Sequence, residues 1–568
     1  MSGEVKSESL LTGTPVEEMV RMRDGVRLAT DIYLPEGWDR GPTVLVRLPY
    51  GKRDRYTFMP FCAPVFTRHG YAFVVQDVRG KFRSEGETLQ ALNEAADGFD
   101  TLEWIAHQGW SNGVVGMFGD SYYGYTQWAA LASGHSALRA MVPRMSGLPL
   151  PDASATGADS GPASSSAPGL KAPPSLDWAE YLLSYWTDQE VREPKLDRSL
   201  RPPLAVFESA FRELGKRSSG FDLTIPDQIP LRRFPDGHPL EGRPVPVLHV
   251  LGWFDPVAKR GIDAYLAAVT RPDWAPLQFL RAEAVDHENY HLAEAPTPVG
   301  HDHDSDDGAL ARLLPRYLGP AIEFFDVFLR GKGTAEDLPR VHWELANVGD
   351  QKSGRWPPAG VRRQTLYLAD LASAAGDPPG GLLSSTPTGR AEEASWRHDP
   401  GDPVPGSGEL LSLLHDFPDE RDTGRRPDVL TFTSDRAERP IDLAGPVCVS
   451  LTVGSSAQGG DLFVKLFDVF PDGAAHRILG DQVSYEQTEG EDALCAWTLG
   501  HTGYRLAAGH RLRLQIAGSE SPGYLPHPGV PGNRWLLEQS LPIEQRLTSR
   551  PGAEPQLTLT VLPDGIEP

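Results

Sequence analysis

Val114-Val115-Gly116-Met117-Phe118-Gly119-Asp120-Ser121-Tyr122-Tyr123-Gly124 is a short apolar strand running through glycine, serine and glycine into a helical pattern at Tyr125-Thr126-Gln127-Trp128-Ala129-Ala130. This is the layout of a nucleophile elbow. The strand-to-helix turn is so tight that glycine is required on either side, and the serine is left exposed at the top of a sheet. The positive end of the following helix points at the place where an oxyanion would form. The second glycine comes three residues after the serine, so the motif reads Gly-x-Ser-x-x-Gly. A small-residue turn can show the same Gly-x-Ser pattern, so the elbow reading needs partners elsewhere in the chain.

Composition narrows the classes. At 568 residues the chain is too long for one core, and two to four domains are expected. A net charge of -23 argues against nucleic acid, whose binders carry basic patches. No apolar run approaches the length of a bilayer, and the polar residues 1–11 lack the apolar stretch of a signal peptide, so a cytoplasmic protein without a membrane partner is expected. Cys62, Cys448 and Cys495 have no metal-ligand spacing, and the last two lie in strand-like runs and read as buried free thiols.

Outward from the elbow, two extended runs around Asp24-Gly25 predict a hairpin over residues 20–29. Apolar runs follow at residues 43–48, 72–75, 114–118, 138–142, 245–251 and 277–280, most of them separated by helical patterns such as 94–107 and 125–132. Short strands alternating with helices predict a mostly parallel, doubly wound α/β sheet. The alternation breaks between about 148 and 244. Residues 151–174 are rich in Ala, Ser, Gly and Pro and are expected to be mobile. After them, Trp178, Leu182, Tyr185 and Trp186, then Phe207, Phe211 and Leu214, fall at helical spacing, as in a cap inserted over a cleft. A helix pattern at 317–329 closes the α/β part. Residues 357–402 read as loose, and alternating runs at 447–453, 462–469 and 511–516 predict an antiparallel all-β domain.

An elbow serine needs a base to take its proton and an acid to orient that base. In α/β-hydrolases these follow in the order Ser, Asp/Glu, His, each after a strand. Asp255, in Gly252-Trp253-Phe254-Asp255-Pro256, and His287, in Val285-Asp286-His287-Glu288, fit that order, with His291, His301 and His303 as competing bases. Asp255 would otherwise be a helix N-cap. The acidic neighbours Asp286 and Glu288 are expected to raise the pKa of His287. The run His301-Asp302-His303-Asp304-Ser305-Asp306-Asp307 reads as a solvated acidic loop, and neither metal nor cofactor is expected.

The sequence resembles the cocaine-esterase-like and X-Pro dipeptidyl-peptidase-like serine hydrolases. The resemblance is carried by Gly119-Asp120-Ser121-Tyr122-Tyr123-Gly124, Gln76-Asp77-Val78-Arg79-Gly80 with Ser84-Glu85-Gly86, Gly252-Trp253-Phe254-Asp255 and Leu48-Pro49-Tyr50, and in the β region by Asp461-Leu462-Phe463-Val464-Lys465-Leu466 and Ala508-Gly509-His510-Arg511. It implies an α/β-hydrolase fold at residues 1–147 and 245–350, a helical cap at 148–244 and a jelly roll at 351–568. It further implies Ser121 as nucleophile, Asp255 as orienting acid and His287 as general base. The Tyr50 hydroxyl and the Tyr122 backbone N–H would donate to the oxyanion, and Trp178, Trp253 and Phe254 would contact substrate.

The chain departs from the pattern twice. Many relatives carry a Trp shortly before the histidine, in a Gly-Pro-Trp-x-His context, where this chain has Glu283-Ala284-Val285-Asp286-His287, and relatives acting on α-amino acid esters carry acids just after the triad aspartate where this chain has Pro256-Val257-Ala258-Lys259-Arg260. The expected activity is hydrolysis of a small-molecule carboxylic ester or activated amide through an acyl-enzyme, with an uncharged or anionic acyl group. Acyl transfer, X-Pro-type peptidase or amidase action and a non-catalytic binding role are the alternatives, and a homo-oligomer is left open.

Overall fold

The computed structural model describes residues 14–148, 169–227, 233–297, 307–376, 380–406, 410–488 and 490–563. Most of the 151–174 segment, up to residue 168, and residues 301–306 of the acidic run lie outside them.

The first sheet is built around the elbow strand. Its strands are β1 (Val16–Arg21), β2 (Arg27–Tyr33), β3 (Gly41–Leu48), β4 (Ala72–Asp77), β5 (Ser111–Asp120), β6 (Leu138–Arg144), β7 (Val247–Gly252), β8 (Gln278–Glu283), β9 (Val341–Leu345) and β10 (Gly349–Ser353). The spatial order is β1-β2-β4-β3-β5-β6-β7-β8-β9-β10. Pairing is parallel from β4 through β9 and antiparallel at both ends. The central strands β3 and β4 are buried along their whole length, the mark of a sheet covered on both faces. The covering helices of the first half are α1 (Met59–Arg68), α2 (Glu94–Ala106) and α3 (Ser121–Ala132).

Between β6 and β7 stand the cap helices α4 (Leu176–Trp186), α5 (Leu204–Leu214) and α6 (Ser219–Thr224). Leu182, Trp186, Phe207 and Phe211 are buried in one core with α1 and α3, so these members of the helical stripe pack. Helix α7 (Ala258–Val269) follows β7, and α8 (Asp307–Arg330) lies between β8 and β9. Helix α8 starts ten residues before the pattern predicted at 317–329, with Pro315 and Pro320 inside it. Leu310 and Leu314 continue its buried stripe towards the N-terminus, and that burial outweighs the proline interruptions.

The chain leaves the first sheet at Ser353 and enters a second, eleven-stranded one at Arg362. The stretch 357–402 is not loose. It contains strands Arg362–Ala369, Gly381–Ser384 and Glu392–His398. In the last of these Ala394, Trp396 and His398 are buried and the residues between them exposed, a period of two that the surrounding Pro- and Gly-rich turns obscure. The longest pairing joins Ile441–Ser455 to Ala493–Leu506. The second sheet is the all-β domain of the jelly-roll type that the sequence predicts. The three cysteines are free, Cys62 and Cys495 buried and Cys448 half-buried.

The two elbow glycines are there for space. Gly119 has φ 143°, and a Cβ on it would stand 2.0 Å from the Tyr123 ring. A Cβ on Gly124 would stand 2.4 Å from Ser146 Cβ, just beyond β6. The offset second glycine is therefore the point where α3 crosses the chain leaving β6. Gly124→Ala is expected to cost about 1–3 kcal/mol by overpacking, read as a lower urea midpoint; an unchanged midpoint would contradict this packing argument.

Candidate active site

Ser121 opens α3 immediately after β5, with φ 51° in the left-handed region. A non-glycine residue holds that conformation where its surroundings over-determine it, as at strained functional turns. The surroundings here are the two glycine contacts and the side chain of Asp120. Asp120 Oδ1 accepts from Arg144 Nε at 2.9 Å and Oδ2 accepts from the Tyr317 hydroxyl at 2.5 Å. The Arg144 guanidinium also lies over the Tyr317 ring, 4.4 Å from its centroid.

Asp255 follows β7 and is buried, its carboxylate facing the histidine loop that follows β8. His287 Nδ1 donates to Asp255 Oδ1 at 3.0 Å, and the same oxygen accepts the Val257 N–H at 2.8 Å at the start of α7. The aspartate thus orients the ring and closes the turn that leads into α7, whose N-cap is Val257 and not Asp255. Burial disfavours a charged imidazole, but the charge and hydrogen bond of Asp255, with Glu288 and Asp120 beyond it, outweigh burial and hold His287 up to about 9. Of the two acidic neighbours, Glu288 acts in this way. Asp286 is turned away, its carboxylate accepting backbone N–H groups, and burial pushes it up to about 7. The rival His291 is engaged elsewhere, Nε2 against Glu344 Oε1 at 2.5 Å.

Ser121, His287, Tyr50, Tyr122 and Trp178 line one cavity of ≈ 280 Å³. The Tyr122 side chain turns into the core, accepting from the Ala91 N–H at 2.8 Å and donating to Glu94 at 2.9 Å. What Tyr122 can offer the cavity is its backbone N–H, one of the first-turn donors of α3 that have no partner within the helix. Tyr50 stands opposite, its hydroxyl 3.2 Å from that of Tyr181, and its ring meets Tyr185 edge-on at 5.5 Å. Burial, with Tyr181 and Tyr56 nearby, keeps the Tyr50 phenol well above its usual range and therefore protonated, a donor at any working pH.

Trp253 and Phe254 do not line this cavity. Each is pinned by its backbone N–H to the next strand or loop, at Glu283 O and Val285 O. Trp253 Nε1 donates to Glu344 O at 2.8 Å, and its ring stacks on Trp356 at 5.0 Å, against the β domain. Both border a separate, smaller cavity at that boundary, with Lys259 and Asp481 paired at 2.6 Å. Asp255 borders that second cavity too, and it reaches the serine cavity only through its hydrogen bond to His287.

Sequence reasoning missed Tyr181 and Tyr56. Tyr181 had a signal, since it stands three residues after Trp178 and four before Tyr185 on one face of α4. Tyr56 had none. Among the described residues, no group of three His, Cys, Asp or Glu side chains is disposed to hold a metal ion, and no helix is long and apolar enough to cross a membrane.

Residues 24–291 match the model of the X-Pro dipeptidyl-peptidase (S15) family, and residues 333–557 match that of the X-Pro dipeptidyl-peptidase C-terminal non-catalytic domain. The chain is 30% identical to cocaine esterase of Rhodococcus sp. (strain MB1 Bresler) over 551 residues, 89% of this chain and 91% of that one. The chain belongs to the S15 family of serine hydrolases. Its fold matches a solved α-amino acid ester hydrolase with a TM-score of 0.78 at 24% identity, covering 99% of both chains. It also matches an aminopeptidase from a marine sediment Thaumarchaeota archaeon with a TM-score of 0.79 at 21% identity, covering 99% of this chain and 98% of that one.

If the neutral imidazole of His287 is the reactive form, kcat/KM rises with pH as that ring loses its proton, through an apparent value near 9. Glu288→Gln removes a carboxylate that favours the imidazolium, so the acid limb moves to lower pH. A pH–rate profile with a neutral p-nitrophenyl ester checks this, and a limb that moves upward or stays in place would refute it.

Proposed function

We propose that the chain hydrolyses a carboxylic ester through an acyl-enzyme on Ser121. His287 takes the proton from Ser121 Oγ as that oxygen attacks the ester carbonyl, and Asp255 holds the ring and stabilises the imidazolium. The developing oxyanion is held by the Tyr50 hydroxyl and the Tyr122 N–H. His287 then gives its proton to the leaving alkoxide. In the second half a water, deprotonated by the same ring, releases the acid and restores Ser121. Asp255 stays ionised throughout, and no bond to it forms or breaks.

The observation that carries this reading is the His287–Asp255 hydrogen bond of 3.0 Å beside a cavity that both His287 and Ser121 line. The cavity wall favours a flat apolar acyl group. Tyr56, Phe58, Trp178, Tyr181 and Tyr185 supply rings, and aromatic faces stack on aromatic or planar groups. The residues after Asp255 contribute Arg260 to the wall and no carboxylate, so a substrate ammonium finds no partner from that segment.

Ser121→Ala should abolish turnover of p-nitrophenyl butyrate, and normal turnover in that variant would end the proposal. Tyr50→Phe removes one oxyanion donor and should lower kcat by about 10²–10³-fold with KM little changed. Comparing p-nitrophenyl benzoate with an X-Pro p-nitroanilide separates esterase from peptidase, because the proposal requires the ester to be the better substrate by kcat/KM.

A further inference from the structure

The histidine loop is held from the far domain. Asp286, immediately before His287, is fully buried at 0% exposure. Its Oδ1 accepts the N–H groups of Glu288 at 3.0 Å and Tyr290 at 3.3 Å, which folds the loop back on itself through Asn289 at φ 68°. Its Oδ2 accepts the Leu414 N–H at 3.0 Å, from a short helix α9 (Leu413–Asp416) that lies on the β-domain side of the chain. The same segment returns the contact, since the Leu411 carbonyl accepts from the His287 N–H at 3.1 Å and the Glu288 N–H at 3.3 Å. Leu411 also lines the serine cavity.

We infer that Asp286 is a positioning residue: its carboxylate clasps the histidine loop to the Leu411–Leu414 segment and so keeps the His287 ring on Asp255. The inference rests on the proposal that His287 is the general base. A loop on a strand end has few contacts of its own, and His287 lies within a five-residue turn, 286–290. The clasp fixes the backbone on both sides of the ring. A neutral side chain at this position would offer fewer acceptors to three N–H groups. A buried N–H left without a partner costs about 1–3 kcal/mol, enough for the turn to open instead. The charges that hold up His287 come from Asp255, Glu288 and Asp120, on three different segments. The lever of Asp286 is therefore geometric, and its loss is felt through a weakened Asp255 contact.

The inference also gives the β domain a part in catalysis. The family model describes this domain as non-catalytic, yet it supplies the N–H and the carbonyl that hold the loop of the base.

The test uses the full chain with Asp286→Ala and, in parallel, His287→Ala. Turnover of p-nitrophenyl butyrate is normalised to sites titrated by a fluorophosphonate, so that loss of folded protein does not count as loss of catalysis. Asp286→Ala should lower kcat per titrated site at least tenfold with KM little changed, and move the acid limb of the pH profile down towards the ordinary histidine range. A wild-type acid limb per titrated site overturns the positioning role, whatever happens to the yield of folded protein. If His287→Ala keeps wild-type turnover, it is the assignment of the base that fails instead. Should Asp286→Ala not fold, Asp286→Asn serves in its place. It keeps an acceptor for Glu288 and Tyr290 but turns an amide towards Leu414, so the same shifts are expected at smaller size.

Discussion

Everything at the top of the first sheet depends on the buried ion pair between Asp120 and Arg144. Asp120 is the last residue of β5 and Arg144 the last of β6, and their side chains meet at 2.9 Å beneath the serine turn. Arg144 reaches on to Asn289 Oδ1 at 3.3 Å, in the loop of His287, and Tyr317 ties the pair to α8. One guanidinium thus connects the elbow, the histidine loop and the long helix. A buried pair of this kind adds little net stability, since desolvating two charges offsets most of their attraction, while removing one partner costs about 3–5 kcal/mol. Its consequence is geometric. Few arrangements satisfy both charges, and in this one Ser121 and His287 face the same cavity.

Much of this was legible in the sequence because it follows from local chemistry. The Gly-x-Ser turn after an apolar run, the order of Ser121, Asp255 and His287 and the Asp24-Gly25 hairpin are fixed within a few residues of themselves. What was not legible depends on neighbours far away in the chain. Trp253 and Phe254 immediately precede Asp255 in sequence, but Trp253 is placed by Trp356 and Glu344, far along the chain, and Phe254 borders a cavity shared with β-domain residues such as Phe463 and Asp481. The strands within 357–402 were hidden because turn residues dominate that composition, although the period-two burial at Ala394, Trp396 and His398 is there to be counted. Asp286 is visible in the sequence as an acidic neighbour of His287. That its partner is the Leu414 N–H, 128 residues away, could not.

The cap and the β domain both contribute to the site, each with its own kind of interaction. The cap supplies rings, with Tyr181 and Tyr185 of α4 against Tyr50. The C-terminal end of α4 is tethered by Lys81, whose buried ammonium donates to the carbonyls of Tyr185 at 2.5 Å and Asp188 at 2.8 Å. A cation at a helix C-terminus is stabilising, and here it also fixes the depth at which the tyrosines enter the cavity. The β domain supplies backbone, through Leu411 and Leu414. The shape of the cavity and the geometry of the histidine loop are therefore set by different parts of the chain.

The same electrostatics place a demand on the substrate. A histidine held up to about 9 is mostly protonated near neutrality, and reaching its neutral form at pH 7 costs about 3 kcal/mol, two units at 1.36 kcal/mol each. In the proposed mechanism the charged ring suits the second half of each step, when a proton must be delivered to the leaving oxygen, but not the attack itself. Burial is the largest influence on this ring, and it favours the neutral form. An apolar acyl group that fills the space between Tyr50, Trp178 and His287 removes water from the imidazole and strengthens that influence. A small acyl group would shield the ring less. Under the proposed mechanism, substrates that fit the aromatic wall therefore gain twice, in binding and in the readiness of His287, and the second gain appears in kcat.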